Sequence, residues 1–302
     1  MINKKNILLT FVLVTFVMNA KVVISSTIEA SNLFINKVFM SIFPFIILSD
    51  ILIYFKYHVF LGKIFGRFLG RVFNISNESA SIIILSMLSS HPSNALFIKN
   101  SLDNNYIDFY EGERVFNYTF FPSIMFVVGM IGINLFGDIK IGLILLLLNY
   151  LCNFSIGLFL RKNNYVSYHV SYYDKDDYKS FFIVLKESIL KAINTSFLIL
   201  GNITIFLIII NIINHYIYMP DIIKGIFSGL FEMTSGIVYI SSLDICMNVK
   251  LFLVSFLLNF SGLAIFFQGA SIISPYKLSY KKILVLKLIF SLICSSVLLF
   301  FN

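Results

Sequence analysis

The sequence predicts an all-α integral membrane protein with about seven transmembrane helices and two re-entrant hairpins, arranged as an inverted-topology repeat. The composition is the first observation: 58% of the 302 residues are hydrophobic, 13% are charged, and the mean hydropathy is +0.89. Soluble domains are about 45–50% apolar and about 25% charged. The other two observations are a set of long windows without charged residues and an uneven distribution of Lys and Arg between alternate loops.

Seven apolar segments are long enough to cross the membrane, since a bilayer core needs about 20 consecutive apolar residues. Four of them carry no Asp, Glu, Lys or Arg, and one contains a single lysine near its start. The predicted spans are 7–25, 33–55, 115–137, 141–160, 192–220, 251–276 and 283–301. We expect the single lysine, Lys287, to extend its ammonium group to the membrane surface.

The first span is predicted to be an uncleaved signal anchor. Two lysines precede the apolar run 7–18, a pattern that signal peptides share. Cleavage after Ala20 would place Met18 where a small residue is required, which favours an anchor. The predicted units are therefore 1–31, the anchor, and 32–162 and 163–302, the two repeats.

Two further apolar segments are interrupted by polar residues and predict the hairpins. In 79–98, the polar string 89–94 follows a short apolar half, and in 221–243 a polar, glycine-containing centre separates two apolar halves. A continuous helix would leave these polar groups unpaired in lipid, whereas a hairpin directs its tip to protein or to a wet cavity. An ordinary spanning helix with a few polar positions is the alternative for each segment.

The basic residues support the hairpins. If both hairpins return to the side from which they start, most basic residues lie on the side of the N-terminus. The lysines left on the other side are Lys21, Lys37, Lys140, Lys224 and Lys250. The positive-inside rule predicts such an asymmetry, with the N-terminus in the cytoplasm. If either hairpin crossed the membrane fully, the later loops would lie on the opposite side and the asymmetry of basic residues would disappear.

After the anchor, the order span, hairpin, span, span occurs twice. Each half crosses the membrane three times, so the second half enters from the opposite side, as in the inverted repeats of secondary transporters. The third element of each half combines polar residues with a residue that weakens a helix. These residues are Asn117, Thr119 and Pro122 in the first half, and Asn259, Ser261 and Gly262 in the second. We predict broken helices with backbone groups open to a ligand; kinked helices bonded to their neighbours are the alternative.

Several strings resemble the YlbJ-type (SpoVV) sporulation integral membrane proteins, which carry nucleoside-recognition (Gate) domains. The string 229–236 is similar to their G-L-F-E-M-T-x-G signature, and 261–272 resembles their S-G-L-x-x-x-x-Q-x-A-S-I. The tripeptide 43–45 matches F-P-F, and 111–114 resembles E-x-E-R. The resemblance covers most of 40–285. The first hairpin departs from it, because it reads SSHPSNA where relatives have S-G-Y-P-x-G-A.

The resemblance implies transport of dipicolinic acid across the outer forespore membrane, by a fold similar to concentrative nucleoside transporters. Dipicolinate is a flat aromatic ring with two carboxylates. Helix N-termini and neutral donors at the hairpin tips and the broken spans would suit such an anion. The candidate substrate-binding residues are Ser89, Ser90, Asn94, Asn117, Thr119, Glu232, Thr234, Ser235, Asn259, Ser261 and Gln268.

Glu232 is the acidic residue deepest within a predicted membrane segment. A buried carboxylate is costly, so it needs a proton or a partner. It could couple transport to protons, or donate a hydrogen bond to substrate when it is protonated. Alternatively, it accepts backbone N–H groups at the hairpin tip as a structural group.

No enzyme is indicated, since the sequence contains no HExxH, no G-x-S-x-G and no Gly-rich phosphate loop. The spacing of Cys152, Cys246 and Cys294 predicts neither a metal site nor a cofactor. The basic residues lie beside apolar spans and indicate topology rather than nucleic-acid binding. The predicted function is multi-pass transport of a small anionic metabolite, with the lipid bilayer and a dipicolinate-like anion as partners. A non-transporting membrane sensor or assembly protein and a nucleoside transporter are the alternatives.

Overall fold

The computed structural model describes residues 4–55, 57–162 and 180–300, and these ranges contain helices and no β-strand. The helices are α1 (Lys4–Met18), α2 (Ala20–Leu33), α3 (Met40–Tyr54), α4 (Tyr57–Phe73), α5 (Asn77–Ser89), α6 (Ser93–Asp103), α7 (Phe109–Asn117), α8 (Ile139–Phe159), α9 (Phe181–Tyr216), α10 (Asp221–Phe231), α11 (Met233–Ser242), α12 (Met247–Phe260), α13 (Gly262–Ile272) and α14 (Tyr280–Ser296). Two π-helical stretches, Phe34–Phe39 and Phe126–Leu135, and a 3-10 turn, Val297–Phe300, complete the order. The second predicted repeat begins at 163–179, which lies outside the described residues.

The predicted all-α membrane class is confirmed. The described helices that are long and apolar enough to cross a bilayer are Ile139–Phe159, Phe181–Tyr216, Met247–Ile272 and Tyr280–Phe300. Two bent helix pairs raise this number of four to six if each pair counts as one span. Large apolar side chains also point outward, with Phe159 and Phe197 each 67% exposed. Lipid is the solvent that suits such a surface.

Seven spans are not confirmed, because three of the predicted spans do not contain a single described helix that is long and apolar enough to cross a bilayer. Segment 7–25 turns by 88° between α1 and α2. Segment 33–55 begins as a π-helix and continues as α3. Segment 115–137 is irregular at 118–123, which leaves Phe126–Leu135 as a short apolar helix.

Each predicted hairpin is a pair of short helices separated by a break. The first hairpin consists of α5 and α6, with residues 90–92 at its tip. Ser101 Oγ donates a 2.9 Å hydrogen bond to Glu78 Oε1, which joins the two helices away from the tip. The second hairpin consists of α10 and α11, which are separated by Glu232 alone.

Glycines bring the two helices of the second hairpin into backbone contact. A Cβ on Gly236 would lie 2.2 Å from the Cα of Gly229, a distance that no side chain can occupy. A Cβ on Gly225 would lie 2.6 Å from Cγ1 of Ile240. Gly225, near the start of α10, opposes Ile240, near the end of α11, so the two helices run antiparallel.

The third element of each half is broken where the sequence predicts it. In the first half, α7 ends at Asn117 and the chain is irregular through 118–123. In the second half, Ser261 and Gly262 both adopt left-handed backbone conformations, with φ of 74° and 72°. A left-handed residue other than glycine costs roughly 1–2 kcal/mol, so the break at Ser261 is imposed by its surroundings. A Cβ on Gly262 would lie 3.0 Å from the backbone nitrogen of Met233, so this break packs directly against the tip of the second hairpin.

Helix α13 connects the two halves. It packs against α6 of the first hairpin and against α10 and α11 of the second. At Gly269 a Cβ would lie 3.1 Å from Cζ of Phe116 in α7. Through these contacts, helix α13 brings both hairpin tips to one place in the fold.

The order of elements repeats along the chain. A hairpin, a broken helix and an unbroken helix follow one another once before 163–179 and once after it.

Candidate ligand cavity at the hairpin tips

A cavity of about 60 Å³ lies between the two hairpin tips; we call it the tip cavity. Its lining combines both tips, the first broken helix, α9 and α13. The lining residues are Val38, Ser90, His91, Pro122, Ser123, Phe126, Ile199, Ile203, Glu232, Met233, Thr234, Ala264, Ile265 and Gln268. This volume is well below the roughly 300–1,000 Å³ of typical ligand pockets. An aromatic dicarboxylate enters only if the tips separate.

The first tip leaves polar atoms without partners. The His91 ring packs on Phe120, with ring centroids 4.9 Å apart. Within the described part of the chain, His91 Nε2 and Ser123 Oγ are buried and make no hydrogen bond. Pro92 stands at the start of α6, which has no side-chain cap. Since buried polar atoms are nearly always hydrogen-bonded in native proteins, these atoms mark a place where a ligand or water adds bonds.

The second tip is saturated by its own carboxylate. Glu232 caps α11, and its Oε1 and Oε2 accept the backbone N–H groups of Thr234 at 3.1 Å and of Ser235 at 2.6 Å. The Ser235 hydroxyl donates to the Glu232 carbonyl oxygen at 3.0 Å. Carboxylates at a helix N-terminus are stabilised by these N–H groups and by the helix dipole. These are the bonds that the structural interpretation of Glu232 requires, and the N-terminus of α11 is not open to a second anion in this arrangement.

Four other predicted site residues bond to neighbouring protein groups. Ser89 donates to the Leu85 carbonyl at 2.7 Å, and Asn117 donates to the Glu113 carbonyl at 2.6 Å. Asn94 Nδ2 donates a long hydrogen bond of 3.4 Å to Thr119 Oγ1. These side chains do not line the tip cavity. Of the predicted residues, those that line it are Ser90, Glu232, Thr234 and Gln268.

Asn259 belongs to a buried network between helices. Its Nδ2 donates to Ser295 Oγ at 3.1 Å and to Ser255 Oγ at 3.3 Å. Its Oδ1 accepts from Asn149 Nδ2 at 3.1 Å. These bonds join α8, α12 and α14 and occupy most of what the Asn259 amide can offer. The network corresponds to the alternative in which polar residues of a broken span bond to neighbouring helices.

Lys287 corrects a sequence expectation. Its side chain is 2% exposed and does not reach the membrane surface. The ammonium nitrogen lies 4.2 Å from the centroid of the Phe120 ring and donates to Ser261 Oγ at 3.2 Å. No carboxylate among the described residues pairs with it. Its position about 10 Å along α14, at 1.5 Å per residue, is too deep for a side chain that is held by Phe120 and Ser261 to return to the surface.

Sequence reasoning missed two residues of this region. Ser123 directly follows the predicted break at Pro122. A hydroxyl residue next to a helix break could have been included among the candidate site residues for that reason. Lys287 was visible as the one lysine of its span, but a general rule assigned it to the surface. Charged residues within membrane segments usually face the interior of the helix bundle and mark functional sites, and this rule describes Lys287 better.

The chain is similar to a curated bacterial protein over most of its length. It is 24% identical over 291 residues to the sporulation integral membrane protein YlbJ of Bacillus subtilis (strain 168). The similarity covers 83% of this chain and 71% of that protein. It supports the assignment to the YlbJ-type family that the motifs predict. No family model matches the sequence, and no solved structure matches it.

Proposed function

We propose that this protein is a transporter, not an enzyme, and that it moves a small planar anion across a membrane during sporulation. Dipicolinic acid is the first candidate. The observation that carries the proposal is the tip cavity, where two hairpin tips and a broken helix meet around polar atoms without partners. Transporters bind substrate at the midplane where helices are discontinuous. The sporulation role rests on the similarity to YlbJ and on the shared motifs.

The two tips suggest how an anion is oriented. A carboxylate would bind between the first tip and the broken helix, where α6 lacks a side-chain cap and the Ser123 hydroxyl has no partner among the described residues. The second tip would repel it, because the Glu232 carboxylate already occupies the N-terminus of α11. The apolar lining at Phe126 and Ile199 would face the flat ring.

The small volume of the tip cavity implies movement. A ligand of the size of dipicolinate requires the first hairpin to separate from the second, because ligand pockets usually have volumes of roughly 300 Å³ or more. We propose that the two halves are inverted repeats, as in concentrative nucleoside transporters, and that they expose the cavity alternately to the two sides. The order hairpin, broken helix, unbroken helix in both halves supports this arrangement. We further propose that the N-terminus is cytoplasmic and that the protein resides in the outer forespore membrane.

Uptake into proteoliposomes tests the proposal. We expect the purified protein to accumulate radiolabelled dipicolinate in preference to uridine. Ser123→Ala should raise the dipicolinate concentration for half-saturation about tenfold or more, because one hydrogen bond to a charged ligand is lost. Ser25→Ala is the control, since Ser25 is exposed and bonds within its own helix.

The alternatives give different results. Uptake of uridine without dipicolinate would identify a nucleoside transporter. Saturable binding of dipicolinate without uptake would identify a sensor. Absence of both binding and uptake would exclude dipicolinate as the ligand.

A further inference from the structure

A second, larger pocket lies along the second hairpin. Its volume is about 340 Å³, and it is enclosed by α2, α9, α10 and α11. The pocket extends from the base of the hairpin, at Lys224 and Ser242, towards the tip, at Ser228 and Ser235. Ser235 is the neighbour of Thr234, which lines the tip cavity. We call this pocket the vestibule.

The vestibule contains an amide that the fold does not satisfy. Asn214 lines it, and both its Nδ2 and its Oδ1 are buried without a hydrogen-bond partner among the described residues. An asparagine amide offers two donor hydrogens and an acceptor. Leaving such a group unpaired is costly, so a molecule in the pocket is the natural source of its bonds.

The vestibule offers one cation to a ligand carboxylate. Lys224 lines it with its ammonium nitrogen 5.2 Å from the centroid of the Tyr239 ring, and it forms no ion pair within the described ranges. Glu29 also lines it, but one of its carboxylate oxygens, Oε2, accepts a 2.9 Å hydrogen bond from Asn211 Nδ2. The Lys224 ammonium group is therefore available to a ligand, while Glu29 keeps its negative charge and is held by Asn211.

We propose that the vestibule is a second binding site, which holds a small carboxylate-bearing molecule beside the second hairpin. Lys224 pairs with the carboxylate, and the Asn214 amide binds an adjacent polar group of the ligand. A volume of about 340 Å³ admits such a molecule without rearrangement, in contrast to the tip cavity. The ligand class rests on the proposed function; the existence of the site rests on the unpaired amide and cation.

Protection of an introduced cysteine tests this site without requiring transport. Ser242 is exposed and lines the vestibule, so Ser242→Cys should react with a maleimide. The native Cys246 is also exposed and lies outside the pocket, so it provides an internal reference in the same molecule. Dipicolinate at ten times its Kd should slow labelling of the introduced cysteine about tenfold, because the unoccupied fraction is 1/(1 + [L]/Kd). Labelling of Cys246 should not change.

Two variants identify the groups responsible. Asn214→Leu and Lys224→Met should each raise the dipicolinate concentration for half-protection by about fivefold or more, since each removes a polar contact to a charged ligand. The controls are Asn202→Leu, a partly buried position of α9 outside the vestibule whose amide bonds to the Leu198 carbonyl, and Lys250→Met, which also lies outside the vestibule. Equal shifts in the controls would overturn the assignment.

The outcomes separate this inference from the proposed function. Uptake of dipicolinate without protection of the introduced cysteine would overturn the vestibule and leave transport intact. Protection without uptake would support the vestibule and contradict transport. Protection by uridine alone would overturn the choice of an anion, and no protection by either compound would overturn the site.

Discussion

The two hairpin tips face the same cavity but differ in how completely their polar groups are satisfied. At the second tip, both carboxylate oxygens of Glu232 accept backbone N–H groups. The glycine contact between α10 and α11 leaves no space for a side chain between these helices. At the first tip, His91 Nε2 has no hydrogen-bond partner in the described part of the chain, and α6 begins there without a side-chain cap. A tip that satisfies itself is suited to a fixed structural role. A tip with spare polar atoms is suited to recognition, because a ligand gains bonds there without displacing others.

The largest expected effect concerns the rigidity of the second hairpin. Gly236→Ala places a Cβ 2.2 Å from the Gly229 Cα, and backbone cannot move aside as a side chain can. We expect a loss of more than about 3 kcal/mol of stability, above the usual cost of overpacking, and little folded protein in detergent. Gly201→Ala is the matched control, because a Cβ on Gly201 meets nothing within 4 Å. Size-exclusion profiles and thermal unfolding of the two variants test the difference; equal behaviour would show that the hairpin helices are not in backbone contact.

The second effect concerns the positive charge near the first tip. Lys287 and His91 both pack on the Phe120 ring, and Lys287 has no carboxylate partner among the described residues. Lys287→Met keeps the length of the side chain and removes the charge. A lysine at the centre of a membrane helix costs about 2.5–3.5 kcal/mol, so the variant should be more stable by about 2–3 kcal/mol. We also expect slower dipicolinate uptake, because the variant loses a positive charge that lies beside the first tip and attracts an anion.

Exposed Lys140 supplies the control for this substitution. It lies at the start of α8, and Lys140→Met should leave both stability and uptake nearly unchanged. A Lys287→Met variant that unfolds at lower temperature than the parent would contradict our account, because it would mean that the cation has a stabilising partner.

The sequence predicted the helices and their breaks better than it predicted the contacts of individual side chains. Charge-free windows and polar interruptions predicted the membrane class, both hairpins and the breaks before Pro122 and at Gly262, because lipid imposes strong constraints on backbone groups. They did not predict that Asn259 would be tied into a network with Ser255 and Ser295. Side-chain partners depend on how helices rotate against each other, and a single sequence does not fix that rotation. The burial of Lys287 was missed for the same reason.

The smallest expected effect concerns Glu232 itself, and it decides whether the second tip is structural. The sequence left this carboxylate with a coupling role, a donor role or a capping role. Its bonds to the Thr234 and Ser235 N–H groups favour the capping role. Glu232→Gln retains one oxygen where the carboxylate has two, so one N–H of α11 loses its acceptor. We expect a loss of about 1–2 kcal/mol, as for other N-cap and buried hydrogen-bond substitutions.

The pH dependence of uptake separates the roles of Glu232. A capping carboxylate does not exchange protons with the substrate, so we expect Glu232→Gln to transport with the pH profile of the parent protein and only reduced stability. Glu232→Asp should also keep the profile, because its shorter carboxylate still caps the helix, as aspartate does at many helix N-termini. A flat pH profile in Glu232→Gln, with folded protein and normal binding, would instead assign proton coupling to this tip. The two tips would then share the transport chemistry, and the division between a structural tip and a recognising tip would be wrong.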